Sequence, residues 1–92
     1  MKVKLTEREQ ILKKFPNIPL CAEGREVQNS ISGVKCNLNA EALSLYKYLM
    51  DWYATYIMAS NVKDSKKAAS EFNKASTLFR VLYPNEYYDL VD

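Results

Sequence analysis

Histidine is absent from the 92 residues. That removes the commonest general base, the commonest metal ligand and the usual physiological-pH switch together. Ser-His-Asp, Cys-His and histidine-ligated zinc chemistries are excluded with it. Glycine occurs twice and proline three times. Such scarcity disfavours hairpin-rich β folds, which place glycine at turn positions with φ > 0. The two cysteines, Cys21 and Cys36, have no C-x-x-C spacing and are too few for a zinc ribbon. They are read as free thiols packed as small apolar groups. No long apolar run is present: residues 38–59 are the most apolar stretch, and Glu41, Lys47 and Asp51 interrupt it. Met1–Glu7 lacks the apolar segment of a signal peptide, so a cytoplasmic protein is expected. Neither G-x-x-x-x-G-K-[ST] nor G-x-G-x-x-G occurs, which leaves no phosphate cradle.

What is present describes an ordinary globular chain, with 48% hydrophobic and 26% charged residues. One domain over residues 1–92 is the expectation. The net charge of +2 conceals an uneven distribution. Residues 1–14 carry +3, residues 62–80 carry +3, and the last twelve residues carry −3.

Local signals predict an all-α fold. Thr6-Glu7-Arg8-Glu9 is a capping box, and Leu5, Arg8, Ile11, Leu12 and Phe15 follow at helical spacing. Pro16 ends that short helix. Residues 22–32 read as a further short helix, with Val27 and Ile31 four apart and Gly33 at its end. Asn39 is a good N-cap, with Leu38 and Leu43 placed as a hydrophobic staple, and no Gly or Pro interrupts from there to Ser60. Two apolar stripes run along this helix. One is Ala42, Leu45, Leu49, Trp52, Tyr56 and Ala59; the other is Leu43, Tyr46, Met50, Tyr53 and Ile57. The arc is too wide for one neighbour, so this is the central helix. After a turn at Asn61–Ser65, with Asp64 or Ser65 as cap, a second long helix runs to about Tyr83. Its seam is Ala68, Phe72, Ala75, Phe79 and Leu82. The architecture expected is a small bundle built on an antiparallel pair of long helices (about 40–60 and 65–83), with a short N-terminal helix and a helical turn after Pro84.

No constellation carries catalytic chemistry. Ser44-x-x-Lys47 and Ser60-x-x-Lys63 have the spacing of serine acyl enzymes but lack the accompanying elements, and Ser44 and Lys47 fall on the polar strip of their helix. Glu86, Asp89 and Asp92 recur three apart without the loop a hard cation needs. No enzyme activity, cofactor or metal site is therefore expected. Two binding surfaces stand out. Seven tyrosines and one tryptophan are an aromatic excess that interfaces favour. Tyr46, Trp52, Tyr53 and Tyr56 lie on the apolar arc and are read as core. Tyr48 and Met58 fall on the strip facing solvent, and with Tyr87, Tyr88 and Asp89 they form the candidate protein-binding set. The alternative is nucleic-acid binding through Lys63, Lys66, Lys67 and Lys74, which lie opposite the Phe72–Phe79 seam, together with the N-terminal lysines. A homodimer through the wide arc of the central helix is equally compatible, since so short a chain has little left to cover it. A membrane partner is not expected.

The stretch from Phe72 through Pro84 to Leu90 (FNKASTLFRVLYPNEYYDL) resembles the C-terminal part of small all-helical accessory proteins of bacteriophages. It covers about a fifth of the chain and contains no catalytic motif. The resemblance implies a small protein of the host-cell cytoplasm that binds and inhibits a host macromolecular complex. It assigns no functional residue.

Overall fold

The computed structural model describes residues 6–29 and 31–91. Leu5, the N-terminal lysines Lys2 and Lys4, and Asp92 lie outside the described residues. In chain order the elements are α1 (Glu7–Lys14), β1 (Arg25–Gln28), β2 (Lys35–Leu38), α2 (Ala40–Met58), α3 (Val62–Leu82) and α4 (Pro84–Leu90).

Each helix begins where its cap dictates. At α1 the Glu9 N–H donates to the Thr6 hydroxyl at 3.2 Å, and the Thr6 N–H donates to the Glu9 carboxylate at 3.3 Å. This closes the capping box and satisfies two orphan donors. At α2 the Asn39 side chain accepts from the Ala42 N–H at 2.8 Å. The start of α3 differs from the sequence expectation. Asn61, not Asp64 or Ser65, is the cap: its side-chain oxygen accepts from the Asp64 N–H at 2.8 Å, and its amide donates to the Asp64 carboxylate at 3.0 Å. The turn between the long helices is therefore only Ala59–Asn61, and α3 gains most of a turn. Pro84 forces Tyr83 out of the helical region, to φ −135° and ψ 65°, and then serves as the first residue of α4.

Residues 22–32 correct the all-α expectation. The described ones among them are not helical: β1 pairs antiparallel with β2, Val27 opposite Cys36 and Arg25 opposite Leu38. The fold is mostly helical with one small hairpin. The reason lies in the turn. The Asn29 side-chain oxygen accepts from the N–H groups of Ile31 at 2.8 Å and Ser32 at 3.2 Å, and Gly33 adopts φ 77°. An Asx turn followed by a left-handed glycine reverses the chain, where a helix end would have used the same glycine differently. The pairing then sets Val27 and Cys36 against the core, whereas Ile31, expected to share a helical face with Val27, stands in solvent. The hairpin is anchored by the Asn29 amide, which donates to the Asp89 carbonyl of α4 at 3.0 Å.

The long helices α2 and α3 pack antiparallel, as expected. Two ring pairs fix their register: Tyr46 on Phe79 at 6.1 Å and Tyr53 on Phe72 at 5.6 Å. Around one end of this pair, the base, everything else docks. Ile11 and Phe15 of the N-terminal segment, Ile18, Leu38, Leu43, Leu45, Leu49, Ala75, Phe79, Tyr83 and Leu90 form one buried cluster. Ser44 belongs there too and is not on a polar strip. It is buried, accepts from the Cys21 N–H at 2.8 Å and donates to the Ala40 carbonyl at 2.7 Å. It thus ties the segment after α1 to α2, which accounts for it without any acyl-transfer role. Among the described residues no helix is long and apolar enough to cross a membrane.

Candidate protein-binding surface

The buried residues of α2 are Ala42, Leu43, Ser44, Leu45 and Leu49; none lies in Met50–Met58. The far half of the hairpin, the tip, keeps its apolar side chains but leaves most of them incompletely covered. Met50, Tyr53, Tyr56, Ile57, Met58 and Val62 are all exposed. From Tyr48 through Val62 the sequence holds a single charged residue, Asp51. Aromatic and methionine enrichment with charge depletion is the composition that distinguishes the centre of protein interfaces from other surface. On one side of the tip, Tyr53, Tyr56, Ala69 and Phe72 line an apolar groove between α2 and α3. On the other, Trp52, Thr55, Met58 and Ala59 meet Asp64 and Lys67 in a shallow depression.

The sequence-predicted protein-binding residues do not form one surface. Met58 is at the tip and 82% exposed. Tyr48, expected in solvent, is half-buried, its ring 4.9 Å from Phe15 and 6.4 Å from Trp52. The C-terminal end of α1 covers the strip on which it lies. Tyr87, Tyr88 and Asp89 are on α4, at the base. Tyr88 is 68% exposed, but Tyr87 is half-buried under the Arg80 guanidinium at 5.9 Å, and the Asp89 carbonyl is engaged by Asn29. Lys63, Lys66 and Lys67 are exposed on the first two turns of α3, beside the tip, while Lys74 pairs with Glu71 at 3.4 Å. Met50, Tyr53, Tyr56 and Ile57 were assigned to the apolar arc of the central helix and are the residues that sequence reasoning missed as surface. Their signal was in the sequence: an arc wider than one partner helix, with no further apolar element to cover its far half.

A further polar feature lies at the base. Glu7, Glu86 and Tyr83 line a pocket with Asn39 and Ala42. Tyr83 is buried, its hydroxyl makes no well-formed hydrogen bond, and the Glu7 carboxylate lies near enough to favour its protonated form. Burial, and after it the carboxylates of Glu7, Glu41 and Glu86, hold its phenol well above the usual tyrosine range. Burial, then Glu86 and Asp89, likewise push the Cys36 thiol up. Both groups thus stay protonated at neutral pH, which makes them poor bases and poor nucleophiles. Among the described residues no group of three or more Cys, Asp and Glu is placed to hold a metal ion. Compared with protein-family models, curated proteins and solved structures, the chain matches none.

Proposed function

We propose that this chain is a non-enzymatic protein-binding module that engages its partner through the tip of the α2–α3 hairpin. The observation that carries the reading is the run from Tyr48 to Val62, apolar and aromatic, exposed over most of its length, and holding one charge. Leaving such a patch in water forfeits roughly 25 cal/mol for each Å² that a partner would cover. The resemblance of Phe72–Leu90 to bacteriophage accessory proteins supports a more specific role, as an accessory or inhibitor of a host complex. A photoreactive amino acid placed at Ile57 tests the reading. Irradiation in cell extract should yield protein adducts from that position and none from Thr77, an exposed position on the polar face of α3. Equal adduct patterns from both positions would overturn it.

A second reading has one observation in its favour. Lys63, Lys66 and Lys67 crowd the N-terminal end of α3, where the helix dipole makes cations unfavourable, and among the described residues none of them is in an ion pair. A nucleic-acid backbone would neutralise them. Binding of a random duplex at low salt, lost on changing all three to Glu, is the result that reading requires.

A further inference from the structure

The cavity at the base is surrounded by charge of one sign. Its volume is about 410 Å³. Glu7, Glu86 and Tyr83 line it beside the apolar side chains of Leu38, Leu82 and Pro84. Glu41 lies close enough to act on the same phenol. The three carboxylates sit in the first turns of α1, α4 and α2 respectively for Glu7, Glu86 and Glu41, where an acid offsets the helix dipole. That offset is partial. Three helix N-termini supply at most roughly +1.5 charges against three full negative charges, so the cavity stays negative. Among the described residues none of the three carboxylates is in an ion pair.

A buried hydroxyl narrows the chemistry. Tyr83 is only 6% exposed, and its ring is held 5.5 Å from that of Phe79. Its oxygen is buried without a well-formed hydrogen bond, and the carboxylates that act on it are those around the cavity. A phenol has one proton to donate and two lone pairs to fill. Glu7 stands near enough to attract the proton; among the described residues no group donates to the lone pairs. The carboxylates, too, only accept. This corner therefore calls for a cation that donates in several directions at once. A metal ion is a poor match, since among the described residues no group of three or more acids and thiols is placed to hold one. An ammonium concentrates its charge and its hydration at one point. A guanidinium is flat, spreads one charge over five N–H donors, has no acceptor and is weakly hydrated, which suits carboxylates set beside apolar walls.

We propose that the base cavity is a receptor for a guanidinium group, held between Glu7 and Glu86 with the Tyr83 hydroxyl as a further acceptor. Glu41 adds to the attraction without lining the cavity. The site is separate from the tip, at the opposite end of the α2–α3 hairpin, and stands or falls independently of it. Two sources carry the same group, a free amino acid and an arginine side chain within a polypeptide, and two probes of equal net charge separate them.

Amide chemical shifts of the full chain, followed by NMR during titration with free arginine or with a terminally capped Gly-Arg-Gly peptide, test it. Saturable shifts at Leu38, Ala42 and Glu86 are expected, with a Kd of about 1 mM or tighter for at least one probe. The tighter probe names the source. Replacing the peptide's arginine by citrulline keeps the shape and removes the charge; replacing it by lysine keeps the charge and removes the fork. Each should bind at least about 10-fold more weakly. Glu86→Gln should weaken the arginine probe about 10-fold, and Tyr83→Phe several-fold. Glu71→Gln is the control, because that carboxylate is paired with Lys74 elsewhere on α3, and binding should stay within about two-fold. Absence of saturable shifts at these amides overturns the proposal. So does equal binding of the citrulline or lysine peptide, or an affinity that ignores both Glu86→Gln and Tyr83→Phe.

Discussion

The base and the tip of the α2–α3 hairpin are built from the same sequence pattern and end in opposite environments. At the base, Leu45, Leu49, Ala75 and Phe79 are fully buried. At the tip, Met50, Tyr53 and Ile57 continue the helical spacing into solvent. The difference is not in the hairpin. It lies in what the rest of the chain delivers: α1 with Phe15, the Ile18–Cys21 segment, the β-hairpin and α4 all dock at the base. Apolar periodicity therefore reports which residues want cover. Whether they have it depends on how much chain remains, and here it runs out about halfway along α2. The largest expected effect follows directly. Phe79→Ala at the base should cost about 3–5 kcal/mol, a large share of the stability of so small a chain. Ile57→Ala at the tip, where the side chain is 62% exposed, should cost less than about 1 kcal/mol in the monomer. Urea denaturation of the two variants measures both. Equal costs would mean that the tip is as tightly built as the base.

Next in size is Ser44→Ala. Removing the hydroxyl leaves the Cys21 N–H, now 2.8 Å from Ser44 Oγ, without an acceptor in a part-buried place. A loss of roughly 1–3 kcal/mol is expected. Hydrogen exchange should accelerate at Cys21 before it does at Leu49. If instead both amides speed up together, the base opens as one unit and Ser44 is not a local clasp.

How far these regions were legible in the sequence depended on the range of the signal. Thr6, Asn39 and Pro16 or Pro84 act on their immediate neighbours, and the helix ends they mark are where expected. Asn61 is the same kind of signal, overlooked for Asp64 and Ser65 because three capping residues fall within five positions; the earliest wins because a longer helix satisfies more backbone groups. Gly33 announced a positive φ, which serves a helix end and a hairpin turn alike. Only the long-range contacts of Val27, Cys36 and Asn29 decide between them. Tyr48 and Ser44 were placed in solvent because the strip they share with Lys47 and Asp51 is polar in sequence. The segment that covers them comes from more than twenty positions earlier in the chain, where two prolines erase any periodic signal. The exposed tip was visible only as an excess of apolar arc, without a statement of which half would go uncovered.

The third effect separates the two regions by pH. The Tyr83 phenol at the base is held above its usual range in the folded chain by burial and by Glu7, Glu41 and Glu86. The neutral form is the one the fold prefers, so the stability it contributes is complete below the unfolded-chain value of about 10 and is lost as pH rises above it. Unfolding should therefore steepen above pH ~10 in the wild type and less so in Tyr83→Phe. Near pH 7 the Tyr83→Phe change should shift stability by less than about 1 kcal/mol, because the hydroxyl it removes is poorly partnered. Replacement by Phe of Tyr53 and Tyr56, exposed at the tip, provides the comparison. An alkaline limb unaltered by Tyr83→Phe would place the responsible group elsewhere.

The smallest effect concerns the lysines beside the tip. Lys63 is the second residue of α3, where the free N–H groups make the local potential positive and a cation is misplaced. Asp64 relieves only part of this, being committed to Asn61 at 3.0 Å. Lys63→Glu should raise the melting temperature by roughly 1–4 °C at low salt. In ~0.5 M salt most of the gain should vanish, because an exposed charge is screened there within a few ångströms. Thermal melts at the two ionic strengths give the answer. A fall in melting temperature would mean that Lys63 already has an anionic partner in solution. A rise places Lys63 on a face where only water meets it.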